Sequence, residues 1–139
     1  MINIQKIDHV GIRVHEEKRS VSFYEEFGFV VEGNGNFLRG QPIIMRHPAG
    51  IVLNVLGPAN QPQAKNILQD YDEKYAGITH IALKVESLQE AEDYVKSKGI
   101  AITEHFAYGD VKAFFIRDPD GNVLEFDEYP ESFPSTRKG

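Results

Sequence analysis

The chain carries the same sequence pattern twice, at a constant distance of 71 residues. The segment "RHPAGIVLNV" (46–55) aligns with "RDPDGNVLEF" (117–126), and arginine, proline, glycine, valine and leucine coincide. The same offset, with no gap, places "IDHVGIRV" (7–14) on "ITHIALKV" (78–85). Because one ungapped offset serves separated segments, we interpret the chain as two copies of one structural unit.

Each copy has the same predicted order of elements: strand, helix, strand, strand, strand. Alternating apolar residues predict a strand in "KIDHVGIRV", and an apolar stripe that ends at glycine predicts a helix in "HEEKRSVSFYEEFG". The first copy then has predicted strands in "GFVVEGNG", "QPIIMRH" and "IVLNVL". In the second copy we predict a strand over 77–85, a helix over 88–98, and strands over 100–107, 111–117 and 121–128. The predicted fold class is α+β, with two βαβββ modules forming a mixed sheet that lines a cleft.

The segments between and after the two copies predict the domain organisation. The predicted parts are a first module over 1–56, a linker over 57–76, a second module over 77–129 and a polar C-terminal tail over 130–139. The linker contains prolines, and we expect a short helix within it at 64–71. Two prolines in the polar tail favour a loose arm.

Composition and charge exclude several classes of function. Of the 139 residues, 41% are hydrophobic and 26% are charged, which is ordinary for a soluble globular protein. A net charge of −6 argues against nucleic acid or an anionic membrane as a partner, and no apolar run approaches the roughly 18 residues that span a bilayer. The N-terminus lacks the pattern of a signal peptide, so we expect a cytoplasmic protein. The absence of cysteine excludes disulfides, thiolate metal sites and cysteine nucleophiles.

The duplication places chemically informative residues at matching positions. His9 aligns with His80 on the first strands, and Asn54 aligns with Glu125 on the last strands. An unpaired carboxylate is costly to bury in an apolar strand, and a bound cation offsets that cost. Because two imidazoles and a carboxylate are a common ligand set, we predict a divalent metal at His9, His80 and Glu125, with free positions for water or a substrate. The plainer interpretation is that each histidine is structural and that Glu125 faces water.

Five further residues are candidates for a substrate pocket. Asn54 offers a neutral oxygen donor opposite Glu125. Arg13 and Lys84 share the strand faces of the two histidines and suit an anionic group, although basic residues at strand ends are often solvated. His105 either lines the cleft or packs, and Phe115 alternates with a second phenylalanine, so that one of the two walls the cleft.

Residues 5–128 resemble the vicinal oxygen chelate superfamily, which includes glyoxalase I, methylmalonyl-CoA epimerase, extradiol dioxygenases and the fosfomycin- and bleomycin-resistance proteins. The resemblance rests on "IDHVGIRV", "SFYEEFGF", "ITHIALKV" and "DPDGNVLEF". It implies a paired βαβββ fold with a metal at the cleft centre and a substrate bound through adjacent oxygens. By motif position, His9, His80 and Glu125 match three family ligands. Asn54 departs from glyoxalase I, which typically has glutamate there, and is closer to the glutamine of the epimerases.

The function that this resemblance first implies is glyoxalase I-like isomerisation, of the lactoylglutathione lyase type, through a metal-stabilised enediolate with Glu125 as the base. The alternatives are an extradiol-type dioxygenase or epimerase, and a metal-free, ligand-sequestering protein of the bleomycin-resistance type. The expected cofactors are a divalent ion (Zn, Ni, Mn or Fe) and, for a thiol-dependent reaction, glutathione or another thiol. The expected partners are a small-molecule substrate and a second copy of the chain in a homodimer.

Overall fold

The computed structural model describes residues 1–62 and 65–130. The chain divides into two compact units, Met1–Ala64 and Lys65–Gly139. Apart from Pro130, the expected loose tail lies outside the described residues. In the described part of the chain, no helix has the length and apolar character that crossing a bilayer requires.

The first unit is a four-stranded mixed sheet with one α-helix. Its elements are β1 (Val10–Arg13), α1 (Glu17–Glu25), β2 (Val30–Asn34), a short 3-10 helix (Phe37–Arg39), β3 (Ile43–Arg46) and β4 (Val52–Leu56). The strand order is β1-β4-β3-β2. Strand β1 runs parallel to β4, and the other neighbours are antiparallel. Helix α1 packs against β2 and β4.

The second unit repeats this arrangement. Its elements are β5 (His80–Lys84), α2 (Leu88–Ser97), β6 (Glu104–Tyr108), β7 (Val111–Arg117) and β8 (Val123–Glu128). The strand order is β5-β8-β7-β6, again with one parallel pair, β5 and β8. The predicted α+β class and the two βαβββ modules are therefore confirmed.

The strand pairing of the two sheets follows the sequence repeat residue by residue. The last strand of each unit, β4 or β8, is paired on both sides. The corresponding pairs are Asn54 with Gly11 and Ile44 in the first sheet, and Glu125 with Ala82 and Phe115 in the second. Both Gly11 and Ala82 are small, which leaves space beside the longer side chain on the last strand.

Each sheet has one face against its helix, and the apolar core lies there. In the second unit, the rings of Phe114 and Phe126 are buried with their centroids 5.3 Å apart. Because side chains alternate along a strand, Phe115 and Glu125 point to the other face. We call this other face the site face, formed in the second sheet by His80, Ala82, Phe115 and Glu125, and the opposite one the helix face.

Several strands are shorter than the sequence pattern predicts, among them β1, which begins at Val10 and so leaves His9 just before the strand. Strand β5 begins at His80 rather than at residue 77, and β6 begins at Glu104 rather than at residue 100. The backbone N–H of Ile100 donates to the carbonyl oxygen of Val95 at 2.9 Å, so this residue still belongs to the end of α2. Pairing with β7 starts only where the N–H of Thr103 reaches the carbonyl of Phe115.

The short helix expected at 64–71 is not formed in the described part of that segment, 65–71, which is a series of turns. The side-chain oxygen of Asn66 accepts hydrogen bonds from the N–H groups of Leu68 and Gln69, at 2.9 and 3.2 Å. These are the contacts of a helix N-cap, and the backbone N–H of Asp70 also donates to the Asn66 carbonyl oxygen at 2.8 Å. One turn therefore starts at Asn66, but it does not continue into a helix.

A bidentate ion pair attaches this turn segment to the second sheet. The guanidinium of Arg117 on β7 donates to both carboxylate oxygens of Asp70, at 2.8 and 2.9 Å. Hydrogen bonds from Arg117, and then from the backbone N–H of Asn66, lower the pKa of Asp70 from 3.8 to about 2.

The Asp70 carboxylate is therefore expected to stabilise the second unit at neutral pH and to lose that effect in acid. Since its pKa is lower in the folded state, the unfolded state binds more protons between about pH 4 and pH 2, and the contribution disappears across that window. For Asp70→Asn we expect a free energy of unfolding lower by about 1 kcal/mol at pH 7, because partial exposure screens the pair. The difference from the parent should shrink as the pH approaches 2.

Urea unfolding at a series of pH values measures this difference. Asp72→Asn is the control, since Asp72 makes no ion pair with any residue that the structure describes. A pH dependence that is the same for Asp70→Asn and the parent protein would contradict the assignment.

Candidate metal centre

A tight turn fixes the start of the strand that carries Glu125. The Oδ1 of Asp118 accepts hydrogen bonds from the backbone N–H groups of Asp120 and Asn122, at 2.9 Å each. Gly121 completes the turn with a φ of +85°, a conformation that glycine adopts without steric cost. Strand β8 then runs between β5 and β7, so that Glu125 is held from both sides.

The carboxylate of Glu125 lies beside the imidazole of His80 on the neighbouring parallel strand. Its Oε1 is 2.9 Å from the His80 Nε2, and the two side chains are 15% and 35% exposed. Because a carboxylate oxygen only accepts a hydrogen bond, the proton in this contact belongs to Nε2. A largely buried carboxylate in an apolar strand is thus partnered by a ring nitrogen that is also a common metal ligand.

The other ring nitrogen of His80 and the face of its ring are also in contact with neighbours. The Thr79 Oγ1 lies 2.8 Å from Nδ1, and the Phe115 ring centroid is 5.5 Å from that of the imidazole. The hydroxyl group donates when Nδ1 is unprotonated and accepts when Nδ1 carries the proton. His80 can therefore move its proton to Nδ1 and free Nε2 for a metal, while Phe115 holds the ring in place.

The first unit presents the corresponding positions with a different chemistry. The Nδ1–H of His9 donates to the Asp8 carboxylate at 2.7 Å, and this hydrogen bond holds the pKa of Asp8 below its usual value. In a neutral ring, the Nε2 of His9 then carries a lone pair. Asn54, the counterpart of Glu125, is half-buried and uncharged.

The donor atoms of the second unit fit two adjacent ligands of a divalent ion. Ligand atoms about 2.1 Å from an ion and about 90° apart are separated by about 3 Å. The Nε2 of His80 and the Oε1 of Glu125 are 2.9 Å apart. Within residues 1–62 and 65–130, no three histidine, aspartate or glutamate side chains form a group that could hold an ion. The described residues thus bring together two donor types that divalent ions accept, in a hydrogen-bonded pair, and no third one.

The predicted pocket residues divide between the two faces of their sheets. Phe115 lies opposite Glu125 in the sheet. Lys84 shares the strand face of His80, and its Nζ is 5.7 Å from the centre of the Tyr129 ring. In the first unit Arg13 is exposed on β1.

His105 does not join these residues, because it lies on the helix face. It is paired with Phe114 rather than with Phe115, and its Nε2 is 2.9 Å from the Glu92 Oε1 on α2. Hydrogen bonds from Lys96 and then from His105 hold the pKa of Glu92 below its usual value. Two alternatives were open for His105, lining the cleft or packing. The structure favours packing, because His105 contacts α2.

The sequence reasoning overlooked Asp8 and Thr79. Each directly precedes one of the two histidines, and each bonds the Nδ1 atom of that histidine. A polar residue immediately before both members of a duplicated histidine pair is the signal that could have identified them.

Comparison with families of known proteins gives one match that covers most of the chain. A family described as the Glyoxalase/Bleomycin resistance protein/Dioxygenase superfamily matches residues 6–126.

The individual proteins that match the chain have low sequence identity to it. The chain is 23% identical over 136 residues to the Glyoxalase domain-containing protein RDO1 of Mycosarcoma maydis, covering 94% of this chain and 72% of that protein. A glyoxalase/dioxygenase from Nostoc punctiforme matches with a TM-score of 0.70 and 19% identity, covering 93% of this chain and 94% of that one. TnmS3, an antibiotic binding protein from Streptomyces sp. CB03234, matches with a TM-score of 0.70 and 14% identity, covering 94% of this chain and 100% of that one. At these identities the two structures establish the fold.

Proposed function

Since the chain belongs to the Glyoxalase/Bleomycin resistance protein/Dioxygenase superfamily, we propose that it is a metal-dependent enzyme of the glyoxalase I type. The observation that carries this proposal is the 2.9 Å contact between His80 and the largely buried Glu125. The substrate in this proposal is a small molecule with two adjacent oxygens, such as the hemithioacetal of glutathione and a 2-oxoaldehyde.

The proposed metal ligands are His80, Glu125 and His9. A divalent ion bound by them supplies the Lewis acidity that stabilises negative charge on adjacent substrate oxygens. The preceding residues support this assignment, because Thr79 and Asp8 bond the Nδ1 atoms and leave the Nε2 atoms for ligation. Asn54 is at the fourth matching position, where its amide can accept or donate a hydrogen bond but cannot take up a proton.

Glu125 is the proposed catalytic base. An isomerisation of this type removes a proton from one carbon and returns it to the adjacent carbon, so the same group can perform both steps. Among the four matching positions only Glu125 is a carboxylate, since Asn54 replaces its counterpart. The ring of Phe115 lies 5.5 Å from that of His80 and gives this part of the site face an apolar neighbour. Lys84 on the same strand face is suited to an anionic group of the substrate.

Metal titration of the chelator-treated protein tests the ligand assignment. We expect about one ion per chain for Zn²⁺, Ni²⁺, Mn²⁺ or Fe²⁺, and an affinity more than about a hundredfold weaker in His80→Ala, because a ligand is removed. His105→Ala is the matched control, since both histidines have Nε2 at 2.9 Å from a glutamate oxygen. Equal affinities in the two variants would refute the site.

Variants His9→Ala and His80→Ala together test whether the His9 ligand comes from the same chain as His80 or from a partner copy. We propose a homodimer, since a closed twofold assembly is the commonest one for soluble oligomers. If His9 is supplied by the partner copy, a refolded mixture of His9→Ala and His80→Ala chains regains about a quarter of the parent activity, because half of the dimers contain one intact site. No recovery would place all three ligands in one chain.

A second candidate is a metal-free protein that sequesters its ligand. Asn54 favours it, because a neutral amide in place of a second carboxylate weakens metal affinity, and TnmS3, which shares the fold, is described as an antibiotic binding protein. The same titration separates the candidates. A protein that binds none of the four ions, yet binds a small aromatic antibiotic, would replace the enzymatic proposal.

A further inference from the structure

The second unit contains a cavity on the helix face of its sheet, opposite the candidate metal centre. Its volume is about 520 Å³, within the range of small-molecule sites. It lies between α2 and strands β6–β8 and is lined by Leu88, Glu92, His105, Ala107, Lys112 and Glu128. Nothing in the proposed isomerisation uses this cavity.

The first unit fills the equivalent space with its own side chain. Phe37, on the 3-10 helix, is only 4% exposed, and its ring covers Gly57 so closely that a Cβ there would be 2.0 Å from the Phe37 Cζ. The residues 71 positions later are Tyr108 and Glu128. Tyr108 ends strand β6 with 76% of its surface exposed, and Glu128 lines the cavity. The cavity is therefore the position that an aromatic ring occupies in the other copy.

The lining contains two carboxylates and one ammonium group, and the ammonium group is the one available to an anionic ligand. Glu92 is bonded by Lys96 and His105, at 2.8 and 2.9 Å, and the Glu128 Oε1 accepts the N–H of Leu88 at 2.7 Å. Each carboxylate thus already accepts at least one hydrogen bond. Lys112 is opposite Glu128 in the sheet, yet its ammonium group forms no ion pair with any described residue.

We propose that this cavity binds an aromatic carboxylic acid, with the ring between Leu88 and Ala107 and the carboxylate on Lys112. The ring would take the place that Phe37 fills in the first unit. The ligand's carboxylate would form an ion pair with Lys112, the one charged side chain of the lining that has no partner within the described residues.

The test uses the metal-free, full-length protein, so that the probes cannot bind a metal instead. 3-Phenylpropionate is added, and the backbone amide signals of Ala107 and Lys112 are followed by NMR. We expect saturable shifts with a dissociation constant of about 1 mM or below. Propionate lacks the ring and phenethylamine reverses the charge, and each should bind at least about fivefold more weakly.

Two variants locate the probe. Ala107→Leu fills the cavity and should weaken binding at least about tenfold, while Lys112→Gln should remove the preference for the acid over the amine. Gln41→Ala, at the position in the first unit that matches Lys112, should bind like the parent. Unchanged affinity in Ala107→Leu and Lys112→Gln, equal affinity for the three probes, or no saturable shift would each overturn the proposal.

Discussion

Replacing Glu125 by glutamine is expected to lower the turnover number for the hemithioacetal substrate by about a thousandfold. Glutamine has nearly the same shape, and its amide oxygen can still approach an ion, but it cannot accept a proton from carbon. The measurement is steady-state kinetics with the metal content determined on the same sample. Loss of turnover with metal retained would identify Glu125 as the base rather than only as a ligand.

Glu92→Gln provides the matched control for this experiment. Glu92 contacts His105 at the same 2.9 Å distance that joins Glu125 to His80, but on the helix face. Its turnover should stay within about twofold of the parent, because Glu92 lies on the helix face and contacts none of the proposed metal ligands. If Glu125→Gln retains both metal and full activity, the proton must be moved by another group and the proposed mechanism is wrong.

Phe37→Ala is expected to lower the free energy of unfolding of the first unit by about 3–4 kcal/mol. The Phe37 side chain is 4% exposed, and its ring lies directly over Gly57. Because glycine has no side chain, residue 57 cannot replace the lost contacts. The truncation therefore leaves a cavity that the backbone at Gly57 cannot fill. Chemical denaturation followed by hydrogen exchange of β4 measures the effect in the unit concerned.

Tyr108→Ala tests the same position in the other copy. Because Tyr108 is 76% exposed, its removal should change the free energy of unfolding by less than about 0.5 kcal/mol. Comparable losses for Phe37→Ala and Tyr108→Ala would mean that the two copies bury this position equally. That result would contradict the described difference between them.

The repeat explains how much of the fold the sequence could predict. An offset of 71 aligns Asn54 with Glu125 and His9 with His80, and the strand pairing of both sheets follows the same offset. Since duplicated units share their topology, aligning one pair of positions also aligns the elements around it. The α+β class and the contact between His80 and Glu125 are consequences of this alignment.

The face on which His105 lies could not be predicted in the same way. Alternation shows that His105 and Ala107 share a face, but it does not show which face the helix covers. Every residue of β6 is exposed, so its pattern has no apolar stripe that would mark the core side. The bond to Glu92 decides the matter, and it joins residues of different elements that no local pattern connects.

The turn at 65–71 was hidden from sequence analysis for a different reason. The apolar spacing there is compatible with a helix, and Asn66 does start one turn by accepting the N–H groups of Leu68 and Gln69, but the turn does not continue. Arg117 then holds Asp70 from outside the segment. This ion pair joins the segment to a residue 47 positions away, which no local sequence pattern shows.

Asn54 and Glu125 are at matching positions of the two copies, but the first is neutral and the second anionic. This difference also sets the electrostatic balance of the proposed centre. Two neutral imidazoles, one carboxylate and a doubly charged ion leave a surplus of about one positive charge, where a second carboxylate would have cancelled it. Such a surplus attracts anions and repels cations at short range. The divergence of one residue between the two copies would thereby bias the choice of substrate towards acids and enolisable carbonyl compounds.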